Sequence, residues 1–363
     1  MKNTAAFFCE NIKDIQTIGG REVVMEYTSY EEEYQTLRRD NGLIDRSAFS
    51  VIKAEGPEAA EYLDRLCTKD ILYLNIDMTA ECLMLDEEAN ALGSVWVLHA
   101  GDDFYVVIPY ETAGRILPWM EEKAADFEVT LRNCEDMALL SLEGRKSWKI
   151  VRDVLDVDVD ILPLRGIQEI EDYKGLPLTV CRIGRTGEYG YMFLGSAEAM
   201  KSLVEDCLAY AGRQDLKLAF CGAYAEEICM LETRQINCRY ENQDKGNVFE
   251  LCEQWLIQFE KEDYIGHDAL MDLFRQDKDK LSVDFVLENE ADLEEGEDVF
   301  LEDEKVGQVL FTKKCPALSK TIGIALLSPA CAVAGIELTA ASHTLTTVSS
   351  PVVRPLSWDE KME

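Results

Sequence analysis

Residues 38–71 read RRDNGLIDRSAFSVIKAEGPEAAEYLDRLCTKDI, and this stretch decides the fold. Its two arginines close the segment SYEEEYQTLRRDNG, in which Ser29 is a ready N-cap, glutamates fill the first turn and basic residues fill the last. That order complements a helix dipole and predicts a helix stopping near Gly42. Further on, Gly56-Pro57 introduces EAAEYLDRL. A proline is tolerated in the first helical turn, and Ala60, Leu63 and Leu66 then share one face.

Working outward, the chain reads as α+β. DDFYVVIP (102–109) and MALLSLEG (137–144) read as strands, the second running into a helix from about Arg145. Met200, Leu203, Val204, Cys207 and Leu208 form a helical stripe between 197 and 212, closed by Gly212. From about Leu281 the pattern changes to short strands, such as LSVDFVL and TIGIALL, which predict a small β-barrel or sandwich. The boundary falls in QDKDKL (276–281), so residues 1–280 are expected to form one α+β region and 281–363 a C-terminal β-barrel domain. RTGEYGYMF (185–193) follows the apolar run LTVCRI, and its two glycines mark a hairpin-like turn.

Composition narrows the function. Asp and Glu number 70 against 36 Lys and Arg, a formal net charge of −34. Nucleic-acid backbones and anionic membranes require clustered cations, so neither is expected as a partner. The acidic run LENEADLEEGEDVFLEDE (287–304) reads as a solvated loop and hairpin. No stretch has the length of a membrane span and the first residues lack a signal-peptide core, so the expected location is the cytoplasm. There reduced thiols are the rule, and the twelve cysteines, none in a C-x-x-C pair, are expected in the core. Three dispersed histidines give no zinc or iron pattern, and no metal is expected.

The stretch at 38–71 resembles the opening of the glycine-cleavage T-protein (aminomethyltransferase) and folate-dependent demethylase family: an Arg, Gly-Leu-x-Asp-x-Ser, a Gly-Pro helix and Thr-x-Asp-Ile. CRIGRTGEYGYMF, CGAYAEEICMLETRQ, FEKEDYIGHDAL and VGQVLFTKKCPALSKTIGIALL continue the resemblance in the family's order across roughly residues 20–357. It implies a three-lobed cloverleaf around a central channel in which relatives bind tetrahydrofolate. It also implies a one-carbon transferase.

The matched positions Gly42, Asp45, Gly56, Pro57, Gly187, Glu188 and Gly222 have turn, cap or packing roles. Those expected to touch the pterin differ from the family. By resemblance the family's tyrosine falls on Cys82, its paired aspartates on Gly93 and Ser94, its asparagine on Pro109, its pterin-clamping Glu on Met192 and its Arg on Glu226. Two C-terminal aromatic positions fall on Ser357 and Trp358. A divergent site would use Arg185 to grip a substrate carboxylate, Glu226 as base or pterin partner, and Trp96 as a stacking face. Glu188 and Tyr191 lie in the same turn. Two readings follow. One is a divergent tetrahydrofolate-dependent transferase of a methyl or aminomethyl group, acting on a small N-, O- or S-methylated carboxylate. The other is a catalytically degenerate relative that binds another small ligand or a protein partner.

Overall fold

The computed structural model describes residues 12–362. Three β-systems form three lobes. The first is a five-stranded sheet in the order Met78–Leu85, Ala91–Ala100, Asp103–Ile108, Ser50–Glu55, Thr130–Asn133. The second is a six-stranded sheet in the order Ile167–Tyr173, Leu176–Cys181, Gly190–Ser196, Met137–Gly144, Asn41–Asp45, Leu218–Phe220. Six strands between Leu281 and Val348 close into the barrel. After the barrel the chain returns to the second lobe, where the backbone N–H groups of Leu356 and Ser357 donate to Glu188.

The expected helices form for the expected reasons. Ser29 accepts from the Glu32 N–H at the start of helix Tyr30–Arg39, and Arg38 and Arg39 lie in its last turn. The helix stops near Gly42 as expected, at the Asp40 cap, and Gly42 itself is the second residue of the next strand. A Cβ there would lie 2.5 Å from Leu37 Cδ2 and 2.9 Å from Cys221 Sγ, so glycine is required by packing. Helix Ala59–Leu66 starts just after Pro57, and Ser196 caps helix Ala197–Arg213 by accepting from the Ala199 N–H. All eleven described cysteines are free thiols, and ten are buried.

RTGEYGYMF does turn the chain between two antiparallel strands, Leu176–Cys181 and Gly190–Ser196, with Cys181 opposite Met192. Gly187 has φ +80°, a left-handed conformation, and Thr233 and Pro355 crowd the place of its missing Cβ. The two sheets of the first lobes meet through a shared core containing Phe49, Val51, Trp96, Leu98, Val107, Cys181 and Met192. This core surrounds the inner end of the channel, and the turn at 182–189 lies along it.

Candidate functional site: a channel closed at its inner end

A cavity of about 440 Å³ opens where the turn 182–190, the strand Met78–Leu85 and the C-terminal segment meet. Its walls carry Trp96, Trp255 and Trp358, the charged groups Glu81, Arg165, Arg182 and Glu188, and the backbone of Gly184, Gly187 and Gly190. Beyond Trp96, Ile183 and Gly184, which line both spaces, lies an inner recess bounded by Arg46, Phe49, Ser141, Glu143, Arg185 and Met192. That recess measures about 10 Å³. A single water needs roughly 10–15 Å³, and small-ligand pockets run to about 300–1,000 Å³. The outer cavity therefore has the size of a binding site, and the inner recess has room for at most one water.

The inner end is filled by charge. The Arg46 guanidinium forks onto Glu226, with Nη1 donating to Oε2 at 2.7 Å and Nη2 donating to Oε1. Nη2 also reaches Glu143 Oε1 at 3.1 Å, while Nε donates to Ser141 Oγ at 3.0 Å. Glu143 Oε2 accepts from the backbone N–H groups of Arg185 and Thr186, both at 3.0 Å, and from Thr186 Oγ1 at 2.8 Å. Arg185 completes the cluster through Glu111, Nη2 to Oε1 at 3.3 Å, beside the stacked Phe49 and Trp96 rings. Two cations thus face three carboxylates, all buried. Burial would raise Glu226, but Arg46 and Arg185 overcome it and hold the carboxylate below its ordinary range. Burial prevails at Glu111 and Glu143, which titrate above theirs despite Arg185 and Arg46 respectively.

The residues singled out in the sequence divide accordingly. Trp96 and Glu188 line the outer cavity. Arg185 and Met192 line the inner recess, and Trp96 borders both. Glu226 lies behind them with its carboxylate consumed by Arg46, so its placement as a free base is corrected: it has no open face on the cavity. Glu188 is likewise spent, accepting from Arg38, Leu356 N–H and Ser357 N–H. Cys82 and Tyr191 do not reach the channel. Cys82 points into the core of the first lobe with Ala80 and Met84, and Tyr191 into the core of the second. Both corrections have one cause: adjacent strand residues face opposite ways, so a one-residue displacement swaps faces. Glu81 is the neighbour of Cys82 that faces the cavity, and it is paired across the sheet with Trp96.

Sequence reasoning also missed Arg46, Glu111, Arg165, Arg182 and Trp255. For Glu81 a signal was present: in MTAECLML the apolar alternation Ala80, Cys82, Met84 leaves Glu81 on the other face. The losses at Gly93 and Pro109 prove to be linked. A Cβ at Gly93, whose φ is +152°, would stand 2.4 Å from Thr112 Cγ2. Thr112 is anchored by its N–H and its hydroxyl to the Pro109 carbonyl, at 3.2 and 3.3 Å. The space a carboxylate would need is occupied by this turn.

Over residues 13–261 the chain matches the profile of the GCVT N-terminal domain family. The protein belongs to that family. This GCVT-family chain is 27% identical over 304 residues to an aminomethyltransferase of Thermotoga neapolitana, covering 83% of this chain and 82% of that one. It is 26% identical over 316 residues to an aminomethyltransferase of Bacillus subtilis, covering 85% of each. Among solved structures, the glycine cleavage system aminomethyltransferase T of Bartonella henselae superposes with a TM-score of 0.83 at 20% identity, covering 94% of both chains. The cloverleaf with its C-terminal barrel is thus the fold of this GCVT-family protein. Among its described residues no helix is long and apolar enough to cross a membrane.

Tetrahydrofolate, implied by the family resemblance, can be tested against these side chains. A pterin placed at Met192, Gly93 and Glu226 does not fit: the recess admits one water, Thr112 fills the position beside Gly93, and Glu226 is held by Arg46. The inner end of this GCVT-family channel lacks both the space and the free carboxylate for that pose.

Proposed function

We propose that this chain binds a planar, anion-bearing small molecule in the outer cavity and has given up aminomethyl transfer at the inner position. One observation carries the reading: the space measures about 440 Å³ outside Trp96 and about 10 Å³ inside it. Chemistry of the outer walls supplies the ligand class. Trp255 and Trp358 are 40% and 54% exposed, and with Trp96 they offer flat apolar faces to a ring. Arg165 and Arg182 line the same cavity, and Lys69 stands 5.9 Å over the Trp255 ring. Two cations and two carboxylates share these walls, and Lys69 beside Trp255 tips the balance toward an anion on a protein of net charge −34.

The test is thermal unfolding with tetrahydrofolate, 5-methyltetrahydrofolate and a panel of aromatic carboxylates, together with an aminomethyl-transfer assay. A ligand at a hundredfold over its Kd is expected to add about 2.7 kcal/mol of stability. That gain is expected to vanish in Trp255→Ala, with no transfer to tetrahydrofolate. Turnover of aminomethyl groups, abolished by substitutions at Met192 and insensitive to Trp255, would overturn the reading.

A second reading, a tetrahydrofolate-dependent transferase acting on a small methylated carboxylate, is supported by family membership and by one group. Burial holds the Glu81 carboxyl above its ordinary range, with Arg165 and Lys69 pulling the other way, so the cavity wall contains a carboxyl that keeps its proton to higher pH than a free one. In that case the transfer assay succeeds and depends on Glu81.

A further inference from the structure

We propose that Lys69 is a carbonyl-capturing amine: it forms an imine with a planar aldehyde that bears an anionic group and rests on the Trp255 ring. The proposal depends on the outer-cavity reading and adds a covalent step to it. Lys69 is half-buried, and its Nζ lies 5.9 Å from the centre of the Trp255 ring, which lines the cavity. Glu81 and Arg165, on the same walls, both act on it electrostatically. Among the described residues the Lys69 ammonium has no ion pair and no hydrogen bond. Buried lysines elsewhere in the chain are matched: Lys261 reaches Asp64 at 2.8 Å and Lys313 reaches Glu227 at 2.5 Å. Burial and the neighbouring Arg165 guanidinium hold the Lys69 amine below its ordinary range, so more of it is unprotonated than in a free lysine. A desolvated lysine beside a second cation is activated for attack on a carbonyl.

The backbone under Lys69 is fixed from the segment that carries Trp255. Lys261 Nζ donates to the Cys67 and Lys69 carbonyls at 3.1 and 3.0 Å. The Gln258 N–H donates to the Thr68 carbonyl at 3.0 Å, and Gln258 Oε1 accepts from the Asp70 N–H at 3.1 Å. Lysine and ring are therefore held together, as a site that reacts with a bound ring requires. The step closes without a co-reactant. The neutral Lys69 nitrogen attacks the carbonyl carbon, the C=O π pair moves to oxygen, and a proton passes from nitrogen to that oxygen. The nitrogen lone pair then expels the hydroxyl, which takes the Glu81 proton and departs as water. A protonated imine is left beside the Glu81 carboxylate. Burial suits Glu81 to that task, because it keeps the carboxyl protonated to higher pH than a free one. Arg165 spends Nη2 on Glu81 at 3.2 Å and keeps its other donors for the anionic group.

The probe is 4-formylbenzoate, trapped by cyanoborohydride reduction, with intact mass and peptide mapping as the readout. A single adduct is expected, on Lys69, at aldehyde concentrations that leave the exposed lysines unlabelled. Lys69→Arg is expected to abolish it, Trp255→Ala to slow it, and Glu81→Gln to slow it by about tenfold or more. The analogue 4-(hydroxymethyl)benzoate has the same shape and no carbonyl, so it reads the cavity alone through quenching of tryptophan fluorescence. It is expected to bind the wild type and Lys69→Arg comparably and to protect Lys69 from the aldehyde. Label spread evenly over the lysines, or labelling undiminished in Lys69→Arg, would overturn the role of Lys69. With 4-(hydroxymethyl)benzoate still bound, that result would leave the outer cavity standing. Absence of binding by both compounds would overturn the proposal together with the cavity reading.

Discussion

Glu226→Ala is expected to cost the fold about 3–5 kcal/mol, the range for removing one partner of a buried ion pair. The reason is the state of Arg46, enclosed and left with Glu143 as its one carboxylate partner after its fork is cut. For a 363-residue chain unfolding as one unit, with about 2 cal/mol/K of entropy per residue, the midpoint would fall by roughly 4–7 °C. Urea unfolding with a second variant distinguishes charge from packing. Arg46→Met with Glu226→Leu and Glu143→Gln removes the charges of the cluster together and fills the space, and is expected to recover most of the loss. A catalytic Glu226 predicts the opposite pattern, with stability unchanged and turnover lost.

A second large effect is expected from Glu253, which burial and the neighbouring Glu241 raise to about 8 against a weaker pull from Arg234. Arg234 sits at the end of helix Ala223–Thr233 with φ +60°. It donates to Glu241, to the Leu251 carbonyl and to Ser282 Oγ, and lies 3.7 Å from Asp284 on the barrel. One arginine thus serves the carboxylates Glu241 and Asp284, with Glu253 beside Glu241, where the barrel meets the second lobe. Because the folded carboxyl keeps its proton up to about pH 8 while the unfolded one releases it near 4.5, folding binds an extra proton between those values. Stability therefore falls as pH rises through that window. At about 1.36 kcal/mol per unit the full penalty is roughly 4–5 kcal/mol. Glu253→Gln is expected to match the wild type near pH 5 and to exceed it by several kcal/mol at pH 9, in denaturant unfolding at each pH. Parallel curves would show that Glu253 ionises freely.

Much of this architecture can be read from local chemistry. Ser29 and Ser196 cap helices because a hydroxyl before an apolar-periodic run has little else to satisfy. The barrel begins at Leu281, where the apolar period shortens to that of strands. The channel is harder, for two physical reasons. Facing alternates along a strand, so Cys82 turns into the core while its neighbour Glu81 faces the cavity. Long-range charge pairing leaves no local trace either. Arg46 and Glu226 are 180 residues apart, and Glu111 and Arg185 are 74 apart. Read separately, Glu226 looks like a replacement base and Arg185 like a substrate anchor. Together with Arg46, Glu111 and Glu143 they form a buried network beside the inner recess. Trp255 was missed because it stands on a short 3-10 turn, Gln254–Leu256, with no strand or helix pattern around it.

The most direct test of the central claim is a crystal structure of the protein soaked with tetrahydrofolate. The account predicts that any bound ring lies outside Trp96, among Trp255, Trp358 and Glu81, with Arg46 still forked onto Glu226 and Thr112 still against Gly93. A pterin found inside Trp96, beside Met192 and with the Arg46–Glu226 pair parted, would contradict it.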